Sequence, residues 1–223
     1  MLPFISFKLT PFFGPFRLLS SFLVLIALGA GLAAILNFCL LPKLWNHLPH
    51  DQGKAFVKGS EKAKGKPTGA GVIMVSIFSI VSLIIMPFEP RFYGIVLCLF
   101  LSMLTGYFDD RSQTPWGQLK KGLMDAVVVI LAASFLCGGK SVVVWFPFWK
   151  GSLAGGGIYV PPIIYIPVVA FLLWLCINAV NCSDGVDGLA GSLALLTLFV
   201  LGGFLYAFTG YNKMAEYLLI PKT

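Results

Sequence analysis

Apolar residues run almost unbroken through the 223-residue chain, and three polar stretches interrupt them: Asp51–Gly71, Gly106–Lys121 and Asn178–Gly188. Apolar runs lie at about Leu18–Leu41, Gly69–Met86, Phe92–Thr105, Leu123–Leu136, Pro162–Ile177 and Leu189–Phe208. Most approach the roughly 20 residues a helix needs to cross hydrocarbon, so the pattern predicts six transmembrane helices. The third and fourth runs are short, about 14 residues each, a length that alone would also suit a re-entrant segment. Helix is the expected conformation, because a chain in lipid must satisfy its own backbone hydrogen bonds and these runs lack the alternation of barrel strands. With six crossings, the three polar stretches share one membrane face.

Between the fourth and fifth runs, Lys140–Pro161 places Val142-Val143-Val144-Trp145-Phe146 and Ile158-Tyr159-Val160 on either side of Gly155-Gly156-Gly157. That arrangement predicts a short β-hairpin (residues 140–161) on the opposite surface, with Trp145 and Trp149 at headgroup depth. The expected fold class is therefore an all-α polytopic membrane protein, one transmembrane domain over 1–223 with a small outer hairpin. Pro3, Pro11 and Pro15 punctuate the first residues and the first run is long enough to span, so a cleavable signal is not expected.

A composition of 58% hydrophobic and 11% charged residues excludes an ordinary soluble domain. The net charge of +7 would suggest nucleic acid in a soluble chain, but here the topology accounts for it and no nucleic-acid partner is expected. Lysines and arginines 43, 54, 58, 62, 64, 66, 111, 120 and 121 all fall on the face of the polar stretches. The bias predicts that this face is cytoplasmic, with both termini outside. Cysteines 39, 98, 137, 176 and 182 show no CxxC spacing and read as small packing residues. His47 and His50 lack a third ligand at metal spacing and read as interfacial loop residues.

The chemistry concentrates in the polar stretches. Asp109 and Asp110 end the third run, and adjacent carboxylates at a membrane boundary repel and lose hydration unless a cation or proton compensates. A solvated helix end beside Arg111 is the plainer alternative. Asn178, Asn181, Asp184 and Asp187 recur every three residues and would form one polar stripe on a helix, with Gly185 and Gly188 permitting a kink or a close approach. Four carboxylates without clustered thiolates or imidazoles favour Mg²⁺ or Mn²⁺ over zinc, and Mg²⁺ usually completes its shell with water and substrate phosphates. Lys54, Lys58, Lys62, Lys64 and Lys66 lead into Gly65-Lys-Pro-Thr-Gly-Ala-Gly71, whose turn into a helix could present N–H groups to an anion. Pro67 and the glycine spacing exclude a Walker A loop. A headgroup-binding patch is the alternative for these lysines, as it is for Lys120 and Lys121.

Taken in order, Asp51-Gln-Gly with Gly65–Gly71, Gly106-Tyr-Phe-Asp-Asp110, and Asn178-Ala-Val-Asn-Cys-Ser-Asp-Gly-Val-Asp-Gly-Leu-Ala190 resemble the motifs of the polyprenyl-phosphate N-acetylhexosamine-1-phosphate transferases, and most closely their muramoyl-pentapeptide branch. The resemblance implies Mg²⁺-dependent transfer of phospho-N-acetylmuramoyl-pentapeptide from UDP-N-acetylmuramoyl-pentapeptide to undecaprenyl phosphate, giving lipid I and UMP. By that similarity Asp109 and Asp110 serve the metal and the lipid phosphate, and Asp184 is the third catalytic carboxylate. Lys62, Lys64, Thr68, Lys121, Asn178, Asn181 and Asp187 bind substrate, with Asp187 on the uracil side. Membrane lipids and a second copy in a homodimer complete the implied partners. Lys54 and Lys66 depart from the usual Pro and Thr, and Arg111-Ser-Gln from the usual Tyr-x-Lys.

The resemblance covers about the first two thirds of the family's ten-helix pattern. A later Gly-Asp-x-Gly-Ser segment with a metal-ligand Asp, and a His-rich loop, have no counterpart in this chain, so a truncated member is expected. A GlcNAc-1-phosphate transferase of another cell-wall glycan and a truncated non-catalytic membrane subunit are the alternatives. An ion transporter would hold its acids near mid-bilayer, whereas all four here stand at predicted span ends.

Overall fold

The computed structural model describes residues 2–49, 65, 67–87, 89–112, 116–144, 157–183 and 188–210. The chain divides into two compact units, Met1–Gly138 and Gly139–Thr223.

The regular elements described in the first unit are all helices. A short α1 (Leu2–Leu9) and a 3₁₀ turn (Gly14–Ser20) fold against one another, fastened by the Ser6 hydroxyl, which donates to the Phe16 carbonyl at 2.7 Å. Pro3 does not prevent α1, because in the first turn of a helix a proline removes an N–H that has no partner anyway. Then come α2 (Phe22–Leu44), α3 (Gly71–Ile85), α4 (Pro90–Arg111) and α5 (Gln118–Cys137), each packed on the one before it. Leu48, Ile73, Ile77 and Val81 form a buried cluster that Ala33, Leu36 and Leu41 of α2 flank. Gly29 lets α3 approach closely, since a β-carbon there would sit 2.8 Å from Cδ1 of Ile85.

The two short apolar runs become longer helices than their hydrophobicity alone indicates. α4 starts at Pro90 after an extended Glu89 and continues through Arg111, while α5 starts beyond an extended Gly117 and ends at Gly138 in the left-handed conformation. Proline at the first position and glycine just past the last are the expected asymmetric stops. Pairs Arg91 with Gly138, Gly94 with Phe135 and Asp109 with Lys121 fix the antiparallel register of α4 and α5.

The second unit holds β1 (Val142–Val144) and β2 (Ile158–Val160), antiparallel with Val143 opposite Tyr159, then α6 (Pro162–Ser183) and α7 (Leu189–Gly210). The strands agree with the expected hairpin; Trp145 and Trp149 lie outside the described residues.

Six helices thus stand where six apolar runs were expected. Among the described residues three of these regions, Phe22–His47, Pro90–Arg111 and Pro162–Cys182, are long and apolar enough to cross a membrane; Gly71–Ile85 and Leu189–Leu205 are apolar but shorter. Large apolar side chains such as Phe38, Phe78, Val127, Phe171 and Phe199 face outward, as suits helices solvated by lipid. Of the five cysteines only Cys98 and Cys137 are buried as the packing reading required; Cys39, Cys176 and Cys182 are exposed.

Candidate functional site

Asp109 and Asp110 occupy the last turn of α4, where the helix dipole disfavours negative charge. Lys121 lies in the first turn of α5, where the dipole disfavours positive charge. Each therefore stands at the end of its own helix that suits it least, and each supplies what the other lacks. Lys121 Nζ lies 3.3 Å from Asp109 Oδ2, and the backbone N–H of Trp116 donates to Asp109 Oδ1 at 3.0 Å. Both oxygens of Asp109 are thus engaged. Its side chain is 19% exposed and that of Lys121 38%, so the pair sits at the boundary between packed helix and surroundings. Asp110 is exposed.

Lys120 has a different partner. Its ammonium lies 4.0 Å from the centre of the Trp116 ring, a cation–π contact. Trp116 accordingly fixes both neighbours, Asp109 through its N–H and Lys120 through its ring.

The end of the first polar stretch belongs to the same unit and approaches the same helix end. Gly69 has φ +72, and a β-carbon there would lie 3.4 Å from the ring of Tyr107, two residues before Asp109. The N–H and hydroxyl of Thr68 both donate to the Pro49 carbonyl, at 2.7 and 3.3 Å. Thr68 therefore closes the loop with both its donors. At the start of α3, Val72 N–H bonds to Gly69 O and Ile73 N–H to Ala70 O, so the expected cradle of free N–H groups is partly consumed by local turns. Lys62 and Lys64 lie outside the described residues.

In the second unit, Asn178 and Asn181 are helical on α6 as the three-residue spacing predicts, with Asn178 half-buried and Asn181 exposed. Asn178 Nδ2 donates to the Trp174 carbonyl at 2.8 Å. Asp184 and Asp187 lie outside the described residues; Gly188, with φ +82, forms the turn into α7.

The donor set fits a hard divalent ion. Asp109 and Asp110 are adjacent carboxylates of the sort Mg²⁺ uses one or two at a time. Asp109 would enter such a shell by exchanging Lys121 for the metal, since Lys121 now holds its Oδ2. Among the described residues no group of three or more His, Cys, Asp or Glu side chains gathers in one place.

One residue of the cluster was not singled out from the sequence. Asp125, inside the fourth apolar run, is 5% exposed and is the one buried charged side chain among the described residues. A lone acid four positions after a lysine was the available signal.

The family described as glycosyl transferase family 4 matches residues 92–221, a segment that includes every proposed site residue except Lys62, Lys64 and Thr68. A phospho-N-acetylmuramoyl-pentapeptide-transferase of Treponema pallidum (strain Nichols) is 39% identical over 215 residues, which is 94% of this chain and 57% of the relative. Its namesake from Aquifex aeolicus (strain VF5) is 31% identical over 171 residues, 72% of this chain and 45% of the relative. One from Campylobacter jejuni (strain RM1221) is 29% identical over 221 residues, 91% of this chain and 61% of the relative. The chain thus spans less than two thirds of the length of these relatives.

Proposed function

We infer the activity from one premise: this chain belongs to glycosyl transferase family 4. The reading is transfer of phospho-N-acetylmuramoyl-pentapeptide from its UDP carrier to undecaprenyl phosphate, yielding lipid I and UMP at the cytoplasmic face of a bacterial plasma membrane. The observation that carries it is the Asp109–Lys121 pair at the α4–α5 boundary, within the matched segment and beside Asp110. The relatives, each a phospho-N-acetylmuramoyl-pentapeptide-transferase, suggest the substrate class.

An oxygen of the lipid phosphate attacks the sugar-side phosphorus of the nucleotide sugar, a new P–O bond forms, and the bond to the bridging oxygen breaks as UMP leaves. The nucleophile is the acceptor itself, so the protein's task is to bring two anions together in line and offset their charge. Lys121 neutralises a phosphate oxygen, and Asp109 and Asp110 would hold the divalent ion. Mg²⁺, when bound, screens the phosphates and supports charge on the leaving group. Asn178 and Asn181, with Asp184 and Asp187, would serve the nucleotide side. Apolar helix faces such as those of α4 and α5 suit the polyprenyl chain, which keeps the reacting phosphate at headgroup depth.

The test is UMP release by the full chain in lipid vesicles containing undecaprenyl phosphate, supplied with UDP-N-acetylmuramoyl-pentapeptide and Mg²⁺. The reading expects stoichiometric UMP and a lipid-linked product, both lost with chelator. Lipid-linked product from a UDP-GlcNAc donor in place of the muramoyl donor would overturn the substrate assignment.

A further inference from the structure

The buried stripe of α5 runs through Asp125, Val129, Ala133 and Cys137, four residues apart, and Lys121 continues it by one more turn. At its Lys121 end the row meets α4, where Lys121 contacts Asp109. A carboxylate in such a row is costly unless a cation offsets it. The α4–α5 register puts Asp125 level with Leu104 and Thr105, neither of which carries charge, and the Thr105 hydroxyl is already donated to Ser102 O at 2.7 Å. The nearest charges along the two helices are Lys121, one turn earlier on α5, and Asp109, which Lys121 meets at 3.3 Å. Lys121 thus stands between two acids: Asp109 across the helix boundary and Asp125 one turn deeper on its own helix.

We propose that Asp125 is a positioning residue that anchors Lys121 at the apolar boundary, so that its ammonium passes between Asp109 and a substrate phosphate oxygen without straying into solvent. An ammonium on a four-carbon stem at a helix start has many rotamers, and an acid four residues on narrows them toward the α4 side. With Asp125 in place, release of Asp109 to a metal leaves Lys121 still partnered. Without it, Lys121 would be held by Asp109 alone, and the two roles would compete. The proposal rests on Lys121 as the phosphate-side lysine, and the test separates the two.

The full chain in vesicles is labelled briefly with acetic anhydride, and acetylation of Lys121 relative to Lys120 is read by mass spectrometry. Asp125→Asn should raise that ratio roughly fivefold, the scale of losing one modest ion pair, and Asp125→Glu should return it to the wild-type value. An unchanged ratio in folded Asp125→Asn protein overturns the proposal. If that variant does not fold, thermal unfolding decides. Lys121→Met strands the acid and should lower the melting temperature more than Lys120→Met, with Lys121→Met/Asp125→Asn recovering most of the loss. Equal losses for the two lysine variants, or no recovery, overturn it. Protection of Lys121 by undecaprenyl phosphate vesicles reports separately on the phosphate role, so wild-type protein that is not protected contradicts that role while the Asp125 ratio still stands or falls by itself.

Discussion

The ring of Phe135 lies against the backbone of Gly94 so closely that a β-carbon at that position would overlap it. This contact closes the α4–α5 pair at the end opposite Asp109 and Lys121, and so sets the register in which those two charges meet. Gly94→Val should cost about 1–3 kcal/mol through overpacking and lower the melting temperature in detergent. Pairing it with Phe135→Ala should recover part of the loss, since that substitution removes the ring the valine would strike. Additive losses would show that the contact does not govern the approach of the two helices.

Asp110 is exposed whereas Asp109 is part-buried, so Asp110 is the more accessible of the two to a metal or phosphate. Asp110→Asn should reduce UMP release by about 10²- to 10³-fold while membrane insertion and melting temperature stay near wild type. Retained turnover would remove Asp110 from the essential set.

Lys121→Ala should weaken use of the nucleotide sugar, seen as a raised KM. The Asp109–Lys121 pair is partly exposed, and such pairs contribute roughly 0–1 kcal/mol, so the change in stability from its loss alone should be small. Unchanged kinetics would take Lys121 out of the phosphate site.

Trp116→Leu should free Lys120 without breaking the N–H bond to Asp109, because that bond comes from the backbone. A cation–π contact of about 0.5–1 kcal/mol predicts a two- to fivefold rise in Lys120 acetylation, with Trp116→Phe falling between. Equal reactivity of Lys120 in all three proteins would contradict the contact.

Much of this arrangement was legible in the residue order, for physical reasons. Long apolar runs gave the helices, and Gly155–Gly157 flanked by valines and an Ile-Tyr-Val run gave the hairpin, because both signals are local. Asp109 and Asp110 stood out because acids beside apolar residues are costly, and the spacing of Asn178 and Asn181 matched a helix that does continue to Ser183. The lengths of α4 and α5 were less legible. Polar residues at both ends hid the continuation, which Pro90 and Gly138 mark only once the flanking backbone is known. Asp125 was hidden inside an apolar run, because burial depends on how α5 packs on α4 and no local pattern reports it. The pairing of Lys121 with Asp109 likewise depends on a loop closing over 12 positions.

The proposed function requires the acid pair at the end of α4 and the asparagine stripe of α6 to face the same side of the bilayer. Ser112→Cys and the native, exposed Cys182 report on those two helix ends, each tested in a background lacking the other cysteines. A membrane-impermeant maleimide applied to sealed vesicles of known orientation should modify both from the cytoplasmic side and neither from the outside. Modification of the two positions from opposite sides would contradict the claim.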